Sequence, residues 1–458
     1  MHNHSIAHLA LLSFLLLGCT PIKMIRTEPP LPAASAPLPD PSTDSKALEA
    51  CVTGGRSKDE NLHMWEAYSD YSIGYAEFDD QGWAYRDDAQ LKVIEQQMAE
   101  DINDPNHRAD DYLVLVFVHG WHHNAHDNDC NVQEFRQMVR ITSEAIKGAI
   151  KAGNLTTPRR VIGIYAGWRG ESVDAAGLRY TTVLDRRNSA ERVAKGSIRK
   201  LFADLHSFER RQPRADKVRT VVIGHSFGGL IVFSALSEGM IDGYTLAGLD
   251  QEHHPCTAAE AQALIGQQSA IWPDGVVLIN PAFESSRFEP LYRILEERKP
   301  CDLVPDKYGK TRMVVPSLIV VTAENDHWTG KYFTIGRSML TLFEGYDRTE
   351  PVATTAERSA NLHAIGFNSP YETQTLSLVD GKPVVSPAAK DSGTPNSDSP
   401  IWVVKAPSSI VNGHNGFLYP RPTRHDPGTP YLANWLLQIY AKDCTAAPEM
   451  HGCAERAQ

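Results

Sequence analysis

VVIGHSFGGLIVFSAL, Val221 to Leu236, sets one serine between two glycines where a β-branched run meets an apolar run of helical length. The valines and isoleucine before Gly224 suit a buried strand, and the apolar residues after Gly229 continue long enough for a buried helix. A chain that passes from strand to helix within two residues must turn sharply. Small flanking residues let the two elements approach, and the residue between them is forced into a strained conformation. Ser226 is therefore either a nucleophile held on such a turn or a small residue in a tight bend. The pentapeptide GHSFG alone does not decide between them; its neighbours must.

Working outward, five further apolar runs are continuous and not alternating, as expected of parallel strands covered on both faces. They are YLVLVFVH (Tyr112–His119), RVIGIYA (Arg160–Ala166), GVVLIN (Gly275–Asn280), SLIVVTA (Ser317–Ala323) and IWVVKA (Ile401–Ala406), alongside VRTVVIG (Val218–Gly224). Helical patterns separate most of them, among them Val193, Ile198, Leu201, Phe202, Leu205 and Phe208 on one face. Right-handed crossovers then give an α/β fold, one mostly parallel central sheet with helices on both faces. Nearer the N-terminus, YSIGYAEF (Tyr71–Phe78) and WAYR (Trp83–Arg86) read as an antiparallel hairpin, followed by an amphipathic helix near Gln90–Ala99. No internal repeat is present.

A serine hydroxyl becomes a nucleophile when a base takes its proton and an acid orients that base. Downstream, SLIVVTAENDHWTG carries Glu324 and Asp326 just past a strand; Asp326 is the candidate acid, Glu324 the fallback. IWVVKAPSSIVNGHNGF then places His414 in a glycine-flanked loop before the last helical run, Tyr431–Ala441. Of the 18 histidines, His327, His363 and His425 are rivals, but none follows an expected strand through a short polar loop. Two backbone donors are needed for an oxyanion. The N–H of Phe227, at the start of the helix, is one; the N–H of Trp121, after Gly120 in FVHGWHHNAHDND, is the other.

That same loop crowds together His119, His122, His123, His126, Asp127 and Asp129, which raises a metal site as an alternative. Neither an HxHxDH nor an HExxH spacing occurs, so the loop reads instead as polar lining at the mouth of the site, with no metal and no organic cofactor expected.

Strand-HGW, GHSFG, a late strand with Asp326, and His414 near the C-terminus together resemble the α/β-hydrolase superfamily, in its serine esterase and lipase branch. HGWHHNA with YAGWRG and LDRRNSAERV resembles a group of bacterial hydrolases, often lipoproteins, whose substrates are mostly unassigned. The resemblance covers about Tyr71 to Lys442 and implies acyl-ester hydrolysis by Ser226, Asp326 and His414, on a small-molecule or lipid ester. An amidase or thioesterase would use the same parts. A non-catalytic envelope lipoprotein that keeps the scaffold for binding is the alternative from another class; serine, acid and histidine in the expected order argue against it. Asp326 and His414 lie 88 residues apart, more than the family's usual connection. The excess, Lys331–Pro400, reads as an inserted cap or lid with a hairpin around Asp380-Gly381, and its Met339, Leu340, Leu342, Phe343 and Phe367 either line an acyl pocket or pack on the body.

The first residues concern location. Ile6–Leu17 is too short to cross a bilayer core and has the length of a signal-peptide apolar region. Leu16-Leu17-Gly18-Cys19 resembles a lipoprotein processing site, which implies residues 1–18 as signal, a lipidated Cys19 and, with Thr20 following, an outer-membrane anchor; an ordinary secretory signal is the alternative. Residues 19–47, rich in proline, alanine and serine, read as a tether to a hydrolase domain spanning 48–458. Of the seven cysteines, removing Cys19 leaves an even set with no CxxC pair, permitting up to three disulfides, with Cys444 and Cys453 the nearest in sequence. A hydrophobic fraction of 42% permits a large core, and a net charge of −11 with no basic cluster excludes nucleic acid as an expected partner.

Overall fold

The computed structural model describes residues 23–31, 51–55, 62–107, 110–153, 155, 157–172, 179–213, 217–246, 272–297, 316–346, 351–388, 401–418 and 429–440. The signal residues, Cys19, His425 and Cys444 and Cys453 lie outside them.

Among the described residues ten strands form one sheet: β1 (Trp65–Ala67), β2 (Tyr71–Phe78), β3 (Asp111–Val118), β4 (Arg159–Trp168), β5 (Val218–His225), β6 (Gly275–Ile279), β7 (Leu318–Ala323), β8 (Gln374–Val379), β9 (Lys382–Pro387) and β10 (Ile401–Ala406). Their order is β1-β2-β4-β3-β5-β6-β7-β10-β8-β9. Only the two outermost pairs, β1 with β2 and β8 with β9, are antiparallel. All the continuous apolar runs become parallel strands, because each has both faces covered.

The helices are α1 (Ala89–Asn103), α2 (Cys130–Lys151), α3 (Val183–Lys195), α4 (Ile198–Arg210), α5 (Phe227–Leu246), α6 (Glu289–Glu297), α7 (Phe333–Leu340), α8 (Pro351–Leu362) and α9 (Tyr431–Tyr440). Alternate residues of each strand feed two cores. Val114, Val116, Val222 and Leu278 meet α1, α3, α4 and α5 on one face; Leu113, Leu115, Phe117, Val221 and Ile223 meet α2 and α9 on the other.

Several expectations change. The helical face from Val193 to Phe208 belongs to two helices, α3 and α4, because the chain breaks at Gly196, where a Cβ would run into the backbone of Gly82. The antiparallel hairpin of Tyr71–Phe78 with Trp83–Arg86 does not form. β2 already pairs with β1 on one side and, in parallel, with β4 on the other, so it has no free edge. The turn after it is held by ion pairs from Asp80 to Arg169 and Arg186, leaving a single bridge, Phe78 to Ala84.

Residues 23–31, inside the stretch read as a tether, pack against the body. Ile25 and Arg26 donate their N–H groups to the Glu77 carboxylate, and the buried Arg26 side chain pairs with Glu66 while lying over the Tyr75 ring. A proline-rich composition concealed Met24-Ile25-Arg26, two apolar residues and an arginine, where buried carboxylates hold Ile25 and Arg26. Nor is Lys331–Pro400 one cap. Its hairpin turns at Asp380 and Gly381, both at positive φ, and β8 then joins the main sheet beside β10. Cys51 and Cys130 form a disulfide, tying residues 51–55 to the start of α2.

Candidate active site

Parallel strands bring their carboxyl ends to one edge, and the chemistry-bearing loops leave from it. Ser226 follows β5 directly and is followed by α5; its φ is 56°, a left-handed value for a side chain with a Cβ. The strain is enforced from all sides. Ser226 N donates to Ile279 O and Ala282 N to Ser226 O, while a Cβ on Gly224 would strike Gly228 and Gly229.

His414 Nε2 lies 2.9 Å from Ser226 Oγ, and His414 Nδ1 lies 2.9 Å from Asp326 Oδ2. The carboxylate accepts only, so it fixes the proton on Nδ1 and leaves Nε2 to accept from the serine. Asp326, buried at the end of β7, also accepts from the Thr329 hydroxyl and from Trp328 N. Burial pushes its pKa up, but the neighbouring His414 and these donors outweigh it and hold the carboxyl below its ordinary value.

Glu324, the fallback acid, turns away and accepts from Ser408 N. Of the rival histidines, His327 is exposed and His363, just past α8, donates through Nδ1 to Ser359 O.

Two residues that sequence reasoning did not single out hold the histidine loop. His225 donates through Nε2 to His414 O at 2.8 Å, and Asn280 donates to Gly413 O and His414 O at 3.0 and 2.8 Å. Asn280 also accepts from Ala323 N, so one side chain links the ends of β6 and β7 to the loop. Burial keeps the His225 pKa well below its ordinary value, with His414 beside it acting in the same direction. It stays neutral and serves as a donor. The histidine of GHSFG and the asparagine closing GVVLIN were the available signals.

Gly120 leaves room for the serine: a Cβ there would sit 2.8 Å from Ser226 Cβ. The backbone at Gly120 thus runs beside Ser226, and Phe227 begins α5. The loop is pinned by His119, whose Nε2 accepts from Trp168 N and whose Nδ1 donates to Gly120 O. Burial lowers its pKa to about 4. The remaining crowd of the loop is spent on local contacts: His123 pairs with Asp129, His122 with Glu171, and Asp127 with Arg136.

Of the apolar residues expected to line a pocket or pack, Met339, Leu340, Leu342 and Phe343 are exposed, and Phe367 lies under Lys405. A groove of about 540 Å³ between α7 and α8, lined by Leu342, Tyr346 and Arg358 among others, contains none of the three residues of the serine site.

No family model matches the chain, and no curated protein matches it. Among solved structures it is similar to phospholipase PlaB from Legionella pneumophila in complex with thio-NAD, at 14% identity and a TM-score of 0.21, over 60% of this chain. The match spans about half of that protein, 48% of its chain.

Proposed function

We propose that the protein is a serine hydrolase of the α/β-hydrolase kind that cleaves carboxylic esters through an acyl-enzyme on Ser226. The observation that carries this reading is the continuous hydrogen-bonded path from Ser226 Oγ through His414 to Asp326, with the serine held at φ 56°. His414 Nε2 takes the proton as Oγ attacks the ester carbonyl. The oxyanion sits against the N–H groups of Phe227 and Trp121, near the positive end of α5. His414 returns the proton to the leaving alcohol, then removes one from water to release the acid. Asp326 stabilises the imidazolium throughout, and no cofactor is needed.

Location and domain layout belong to the same proposal. Cys19 is the lipidation site of an envelope protein, and the part of residues 331–400 that precedes the β8–β9 hairpin shapes substrate choice without joining the chemistry.

With p-nitrophenyl acetate, the reading expects a burst of p-nitrophenol equal to the enzyme concentration whenever deacylation is slower than acylation, and no turnover by Ser226→Ala above about 10⁻⁴ of the parent rate. Equal turnover by parent and variant would remove Ser226 from the mechanism.

A further inference from the structure

The segment after Asp326 is amphipathic with its faces reversed. Over the π-helical turn Trp328–Tyr332 and α7, the inward face is polar: Thr329, Arg337 and Thr341 are buried. Arg337 is spent on the Asn361 side chain and carbonyl, and the Thr341 hydroxyl donates to Arg337 O. The outward face carries Trp328, Tyr332, Ile335 and Met339, spaced three or four residues apart, and the turn after α7 adds the exposed Leu342 and Phe343. Met339 is 75% exposed and Phe343 97%. A contiguous apolar stripe of this kind on the surface marks an interaction site.

Three observations say what covers it. The stripe continues into the serine site, since Trp328 packs edge-on against Trp121 at 6.1 Å and Trp121 lies 6.3 Å from Phe227. Its Trp and Tyr lie at the end nearest the serine and aliphatic residues and Phe beyond, the side-chain types that seat in a lipid interface. The described chain also begins at the same edge of the sheet. Met24 to Arg26 dock at Glu77, near the carboxyl end of β2, which runs parallel to β4, β3 and β5, and Ser226 follows the carboxyl end of β5. Lys23, the first described residue, therefore stands near the edge of the sheet from which Ser226 follows, and the sequence before it includes the apolar Ile6–Leu17.

We infer that the carboxyl edge of the sheet is a membrane-docking face, and that the substrates are acyl esters of bilayer lipids drawn past Trp328 and Trp121 to Ser226. The substrate half of this inference rests on the hydrolase reading; the docking half does not.

The test compares the full chain with its Met339→Ser, Phe343→Ser double variant. Both substituted side chains are exposed and touch none of the three residues of the serine site. Hydrolysis of dispersed p-nitrophenyl acetate should be unchanged, while hydrolysis of phosphatidylcholine vesicles should fall about tenfold or more, because two side chains that leave water on docking are gone. Equal vesicle rates in both proteins would overturn the inference. If neither protein cleaves either ester, the hydrolase reading fails and vesicle flotation in a Cys19→Ser background decides the docking face. Weaker flotation of the double variant supports it, and equal flotation refutes it. Concentration-dependent dimerisation abolished by the double variant would assign the stripe to a second copy of the chain and overturn the lipid assignment.

Discussion

Two histidine–carboxylate pairs stand on the carboxyl edge of the sheet with the same 2.9 Å separation, His414 with Asp326 and His123 with Asp129. The first leads to a serine hydroxyl; the second leads into packing. His123 is buried after β3, and Asp129 spends its remaining capacity on Gly54 N, Gly55 N and, as the cap of α2, Asn131 N. His414 is partly open, its carbonyl is held by His225 and Asn280, and its Nε2 faces Oγ. A His–Asp pair is thus not a site by itself. The proposed site differs from it in the strained serine at the far nitrogen and in a loop held so that the imidazole meets that serine.

The largest effects should separate the pairs through chemistry. Ser226→Ala is expected to lower kcat/KM on a small ester by about 10⁴-fold or more with the fold retained. Ser226→Gly should be equally inactive yet about 1 kcal/mol more stable in urea unfolding, because glycine adopts φ 56° without strain.

Asp326→Asn should cost about 10³ to 10⁴-fold in kcat, since an amide no longer fixes the histidine tautomer. Asp129→Asn should leave small-ester turnover within about threefold, but lower stability by roughly 3 kcal/mol, because it removes the buried carboxylate that pairs with His123. A comparable loss of activity in both variants would erase the distinction.

The pH dependence of stability follows from the same pairs. Asp129 is depressed: burial alone would raise it, but His123 and Asn131 N outweigh that. Its contribution is therefore full above the unfolded carboxyl value and is lost as pH falls through the folded one. His123 is raised despite burial, because Asp129 dominates, so its contribution is full below the unfolded histidine value and is lost as pH rises through the folded one. Urea midpoints measured from acid to alkaline pH should consequently vary less at both ends in Asp129→Asn than in the parent.

A smaller effect tests the loop. Asn280→Ala is expected to lower kcat about ten- to a hundredfold with KM little changed, since it misplaces the base without touching substrate. Smallest of all, Glu324→Gln should stay within about twofold, and a large loss there would reassign the acid.

Much of this was legible in the residues. β3, β5, β7 and β10 are continuous apolar runs whose burial on both faces is written in their composition; Ser226 and Asp326 stand at or just beyond a strand end, and His414 in the loop that follows β10. What escaped has no local period. β1 is three residues long and is defined by its partner. The β8–β9 hairpin was visible at Asp380-Gly381, but its union with β10 depends on a long-range pairing. The docking of Lys23–Leu31 depends on Glu77, some fifty residues away, and the Cys51–Cys130 bridge closes a separation of 79 residues. His225 and Asn280 each look like motif filler until the His414 carbonyl is placed between them.

The central claim is that Ser226, and not merely its fold, is reactive. The direct measurement is fluorophosphonate labelling of the folded parent at neutral pH, with the adduct located by peptide mass spectrometry. One adduct is expected, on Ser226, that is absent from heat-unfolded protein and strongly slowed in Asp326→Asn but not in Asp129→Asn. An unlabelled Ser226 in the folded parent would contradict it.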